Sequence, residues 1–68
     1  MTFGEKLKAL RIEKNITQVQ LAKLSHVTQA TICSYEHDRI MPITNTQIAL
    51  AKALKVSRRE LMEGVDKA

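Results

Sequence analysis

The sequence predicts an all-α fold of five short helices, and two observations carry that prediction. The first is a phrase written four times: Ile16-Thr17-Gln18-Val19-Gln20-Leu21, Val27-Thr28-Gln29-Ala30-Thr31-Ile32, Ile43-Thr44-Asn45-Thr46-Gln47-Ile48 and Val56-Ser57-Arg58-Arg59-Glu60-Leu61. Each is a helix start. The Ser or Thr hydroxyl accepts an orphan backbone N–H, a Glu or Gln three residues on reaches back to the cap's own N–H, and the flanking apolar pair staples the turn. Only Thr31 stands where the reach-back side chain would be. Met1-Thr2-Phe3-Gly4-Glu5 adds a fifth start with a capping box but no staple, because Lys6 holds the second apolar position. The second observation is composition: the 68 residues include no Trp, one Tyr and one Phe. A chain this short buries roughly 60% of the surface it exposes when unfolded. Its small core must then be built from Leu, Ile, Val and Ala on amphipathic helices, which suits helix-on-helix packing.

Helix 1 is expected from about Phe3 to Lys14, with Phe3, Leu7 and Leu10 on one stripe and Asn15 ending it. Helix 2, about Gln18 to Ser25, buries Leu21 and sets Ala22 where a neighbouring helix approaches closely. Helix 3, about Gln29 to Glu36, buries Ile32 and Tyr35 and leaves Gln29, Ala30, Cys33 and Ser34 on the opposite face. After Pro42, helix 4 is capped by Thr44 and runs from about Asn45 to Leu54 with Ile48, Leu50, Ala51 and Leu54 inward. Helix 5 covers about Arg58 to Glu63 with Leu61 and Met62 apolar, and Val65 continues that surface.

The chain reads as a single domain over residues 1–68, with a tail expected to fray from about Gly64. Cap spacings of 11, 16 and 13 residues are too irregular for a stacked repeat. The single Cys excludes an internal disulfide, no stretch has the length of a membrane span or signal core, and a cytoplasmic protein is expected. Without a Pro- or Gly-rich linker, no separate small-molecule ligand domain is expected either. A net charge of +4 and a pI near 9.6 favour an anionic partner. Lys6, Lys8, Lys23, Lys52 and Lys67 are most simply a solvated surface.

Function enters through spacing. Thr17 and Thr28 stand eleven residues apart, so the helix between them has about two turns before the chain reverses. That is the spacing of a helix-turn-helix, and it points to DNA. The run Thr17-Gln18-x-x-Leu21-Ala22, followed by Val27-Thr28-Gln29-x-Thr31-Ile32-x-x-x-Glu36, resembles the phage repressor and Cro-like (Xre) family of helix-turn-helix regulators. Arg11, Pro42, Leu50-Ala51-x-x-Leu54-x-Val56-Ser57 and Leu61 also stand where that family has such residues. The resemblance covers nearly the whole chain and implies a five-helix, lambda-repressor-like domain.

What the resemblance implies is a regulator, most simply a repressor, that occupies a double-stranded DNA operator and excludes polymerase. In that family helix 3 enters the major groove while the start of helix 2 holds the backbone. Carried over, Gln29 is the leading base reader, since its amide suits a bidentate pair with adenine, and Ala30 and Ser34 follow with weaker discrimination. Thr17, Gln18 and Thr31 are expected on phosphates, with Arg39, Thr44 and Asn45 adding a cation and further donors. Arg11 and Glu36 resemble a structural ion pair joining helix 1 to the end of helix 3. Where the family has Gly after helices 2, 3 and 4, this chain has His26, Asp38 and Lys55. If those positions keep a left-handed backbone, each costs roughly 1–2 kcal/mol. Gln47 replaces a usually apolar residue, which a capping box with Thr44 would explain.

A homodimer is expected on an inverted-repeat operator, weak without DNA, with Met62 and Val65 as its apolar contact and Arg58 and Arg59 at the rim. Other classes find less support. With only Gly4 and Gly64 there is no phosphate loop, and no nucleophile stands beside a base, so neither an enzyme nor a cofactor is expected. Cys33 and His37 share a helical face with His26 nearby, a weak metal signal, and nothing cationic adjoins the Cys33 thiol to make it a redox switch. The alternative is a small helical protein-interaction module that never touches DNA.

Overall fold

In the computed structural model, which describes residues 1–66, five α-helices follow one another without a strand: α1 (Phe3–Glu13), α2 (Gln18–Ser25), α3 (Gln29–Glu36), α4 (Thr44–Ala53) and α5 (Arg58–Met62). The all-α prediction holds. Lys67 lies outside the described residues. Four of the five starts are capped as the sequence indicates. Thr2 and Thr17 each accept an N–H three residues on, while Glu5 and Gln20 accept the cap's own N–H at 2.8 Å. Thr28 and Ser57 accept the N–H groups of Thr31 and Glu60.

The helices pack as a closed cycle in which α1 meets α3 and α5, α4 meets α2 and α5, and α2 meets α3. Leu7, Leu21, Ile32, Leu50, Leu54 and Leu61 fill the middle and are fully buried. Truncating any of them to Ala would cost about 2–5 kcal/mol, a large share of what so small a domain has. Phe3 and Tyr35 close one end with their rings edge to face, centroids 6.4 Å apart. Beside them α1 crosses the end of α3 with no room for a side chain. A Cβ built on Gly4 would lie 2.5 Å from both the Tyr35 and the Glu36 carbonyl oxygens.

Three of the interhelical turns keep the left-handed geometry without glycine. His26, Asp38 and Lys55 have φ near +60°, and Asn15 joins them at φ +58° to end α1. His, Asp and Asn tolerate that region better than most residues, whereas Lys55 has no such compensation.

Helix 4 departs from expectation in four respects. It starts one residue early, at Thr44, so Ile43 holds the N-cap position and no side chain caps the end. Gln47 therefore does not reach back to Thr44. Its amide turns inward, where Nε2 donates to the Pro42 carbonyl at 3.0 Å and Oε1 accepts Arg58 Nε at 2.8 Å. With Gln47, Leu50, Ala51 and Leu54 forming the inward stripe, Ile48 falls on its flank and is 37% exposed rather than inward. Helices 1, 4 and 5 each stop one residue short of the expected end, with Lys14, Leu54 and Glu63 as C-caps. Beyond Gly64 the stretch expected to fray runs back to the chain start, where the Asp66 N–H donates to the Met1 carbonyl at 2.8 Å.

Candidate nucleic-acid interface

The α2–turn–α3 unit is held from behind by one buried carboxylate. Glu36 closes α3 with its side chain 2% exposed, and Arg11 of α1 grips it by two bonds, Nε to Oε2 at 2.6 Å and Nη2 to Oε1 at 3.2 Å. The third guanidinium nitrogen, Nη1, donates to the Ile16 carbonyl at 3.0 Å, just before α2. Gln18, at the first position of α2, donates its Nε2 to Glu36 Oε1 at 3.0 Å. One network thus ties α1, the approach to α2, the start of α2 and the end of α3. A planar fork suits this better than an ammonium.

On the outer side of that frame, α3 turns Gln29 and Ala30 to solvent, while Thr31, Cys33 and Ser34 are half-buried. Thr17 is exposed with its hydroxyl engaged by the Gln20 N–H at 3.0 Å, and the Thr31 hydroxyl accepts from Thr28 at 2.8 Å. Arg39 is exposed in the turn after α3. Thr44 and Asn45 are exposed on the first turn of α4, whose opening N–H groups have no side-chain cap and remain free donors. Electrostatically this side is open to an anion. Helices α2 and α3 hold a single acidic residue, Glu36, and Arg11 neutralises it.

The expected dimer residues fall in two environments. Met62 and Val65 are half-buried against the core and also line a shallow groove of about 640 Å³ with Phe3, Thr2 and Met41. Arg59 is exposed, while Arg58 spends its Nε on Gln47. Sequence reasoning did not reach Met41, which is 52% exposed, because a lone apolar residue in a loop has no period to mark it. It also did not reach Asp38 as a cap. One residue past the C-cap of α3, Asp38 accepts the Gly4 N–H with Oδ1 at 2.9 Å and the Thr2 hydroxyl with Oδ2 at 2.7 Å. Cys33 Sγ lies 3.5 Å from His37 Nδ1, and among the described residues no three His, Cys, Asp or Glu side chains gather to hold a metal. No helix among them is long and apolar enough to cross a membrane.

Comparison with known proteins agrees with this geometry. The chain is 39% identical over 56 residues to the immunity repressor protein of Bacillus phage phi105, a match covering 82% of this chain and 39% of that protein. It is 36% identical over 64 residues to the transcriptional activator BcrR of Enterococcus faecalis, covering 94% and 31%. It therefore spans less than half the length of these curated relatives. Among solved structures, the P22 c2 repressor in complex with a synthetic operator superposes with a TM-score of 0.85 at 31% identity, covering 94% of this chain and 97% of that one. The family model for the helix-turn-helix domain matches residues 4–67, and the chain belongs to that family.

Proposed function

We propose that this domain binds double-stranded DNA sequence-specifically and serves a cytoplasmic transcriptional regulator, acting as a repressor by occupying an operator. The observation that carries the reading is the outer side of α3. An exposed Gln29 and Ala30 head a short helix whose one acidic residue, Glu36, is buried and paired with Arg11, on a frame like that of the operator-bound P22 c2 repressor. Gln29 reads a base edge, Ala30 and Ser34 add weaker contacts, and Thr17, Gln18, Thr31, Arg39, Thr44 and Asn45 hold phosphates. Gln18 keeps one amide hydrogen for that purpose while its bond to Glu36 fixes the rotamer. The relatives include a repressor and an activator. Repression is assigned because operator occupancy needs no surface beyond those described.

Two copies bind an inverted repeat, meeting through Met62, Val65 and Met41 with Arg59 at the rim. What supports this is the largely apolar groove that Met41, Met62 and Val65 line with Phe3. The reading is tested by the salt dependence of duplex binding. If a dimer neutralises on the order of 6–10 phosphates, log K falls with log salt at about −0.9 per phosphate. Salt-independent binding, or none at low salt, would favour a protein-interaction module instead.

A further inference from the structure

The groove assigned above to the second copy shares a wall with the exit of the recognition helix. Asp38, one residue past the C-cap of α3, lines it with Met41 from the same connection, while Thr2 and Phe3 come from the start of α1 and Met62 and Val65 from the end of the fold. Three segments meet there, and hydrogen bonds join them in series. The Asp38 carboxylate accepts the Gly4 N–H at 2.9 Å and the Thr2 hydroxyl at 2.7 Å, and the Met1 carbonyl accepts the Asp66 N–H at 2.8 Å.

The joint at Asp38 is held on both sides. Toward α3, the Asp38 N–H donates to the Tyr35 carbonyl at 3.1 Å and the Arg39 N–H to the Ser34 carbonyl at 2.9 Å, so the carboxylate moves with the helix. Toward α1, Gly4 already lies against the Tyr35 and Glu36 carbonyls with no room for a Cβ, so the bonded N–H and the backbone crossing fix one point. The Arg11–Glu36 pair ties α3 to the other end of α1, but neither residue lines the groove. Glycine at position 38 would adopt the same φ of +58° and leave that tie unmade. The angle between the base-reading face of α3 and the groove therefore depends on one carboxylate.

Resting on the reading that two copies meet through this groove on an inverted repeat, we propose that Asp38 is a positioning residue that couples the recognition helix to the second copy and so sets the half-site spacing the domain accepts. Each base pair added between half-sites turns one of them by roughly 34–36° about the duplex axis. A stiff joint rejects that rotation, and a loosened one follows it. The full chain is first used to select its half-site and preferred spacer from a random duplex pool; that half-site, inverted, is then built into duplexes with shorter and longer spacers. The parent should favour one spacer. D38G combined with K55G, which offsets the lost stability, should show that preference reduced roughly tenfold, the size that two ordinary hydrogen bonds per protomer can supply. D38N with K55G carries the same charge, tolerates the left-handed turn, keeps an Oδ1 that accepts from Gly4 and gains an amide that donates to the Thr2 hydroxyl. It should retain the parent's preference, and the two double variants should bind a single half-site equally. An unchanged spacer preference in D38G/K55G, or an equal loss at every spacer and at the single half-site, overturns the role of Asp38. A parent that selects no inverted repeat overturns the dimer reading itself.

Discussion

The Asp38 carboxylate, from the turn that follows α3, accepts the backbone N–H of Gly4 at 2.9 Å and so begins α1. The same residue sits at φ +58°, a conformation that glycine would adopt without strain. Lys55 has φ +59° and no comparable bond. The two positions therefore separate backbone strain from side-chain function. Lys55→Gly should raise stability by about 1 kcal/mol, since it relieves the left-handed penalty and gives up nothing. Asp38→Gly should lower it by about 1 kcal/mol, because the lost cap outweighs the relief. Urea unfolding of both variants checks the contrast, and equal gains would show that the Asp38 bonds contribute nothing.

Gly4 should tolerate no side chain. The atoms that a Cβ would strike are two backbone carbonyls of α3, which cannot swing aside as a flexible side chain would. Gly4→Ala should cost about 1–3 kcal/mol as α1 is pushed off α3, despite alanine's better helix propensity. A thermal melt at or above that of the parent would show that the crossing relaxes freely.

Breaking the Arg11–Glu36 pair by halves should be costly in one order. Arg11→Ala leaves a buried carboxylate with only Gln18 as a side-chain partner, a loss of about 3–5 kcal/mol. Glu36→Gln should lose less, because the Arg11 side chain, 13% exposed against 2% for Glu36, can recover some hydration. Denaturant midpoints should rank the parent above Glu36→Gln and Glu36→Gln above Arg11→Ala; the reverse order would remove Glu36 from the centre of the network.

Self-association should fail when the groove is charged. Met41→Glu is the cleanest variant, since Met41 is 52% exposed and carries little of the core, whereas Met62 and Val65 are half-buried. Cooperative binding to a full operator should drop while helix content stays as in the parent, by calorimetric titration and circular dichroism. Unaltered cooperativity in Met41→Glu and in Val65→Glu would place the interface elsewhere.

Much of this was legible in the sequence because helix starts and helix stripes are local. Thr2, Thr17, Thr28 and Ser57 cap as their spacing indicates, and Leu7, Leu21, Ile32, Leu54 and Leu61 are buried where the periodicity puts them. The fourth start shows the limit. Thr44 and Gln47 have the capping spacing, yet the Pro42 carbonyl and Arg58 compete for the Gln47 amide from outside the local window, and they win. Asp38 and Gly4 were illegible for the same reason. Their partners lie more than thirty residues away in the chain, where no local pattern reaches. The phosphate and base contacts were named by family resemblance, and the frame adds only which of those side chains are exposed and which, like Gln18, are already held.

The central claim is that Gln29 heads a helix that reads DNA, and selection from a random duplex pool tests it most directly. The parent should enrich an approximate inverted repeat with half-sites one helical turn, roughly 34 Å, apart. Gln29→Ala should flatten one position in each half-site and cost about 1–3 kcal/mol on the selected sequence, with non-specific binding little changed. If no sequence is enriched, or if Gln29→Ala selects the same site with the same preferences, α3 does not read DNA through Gln29 and the account is wrong at its centre.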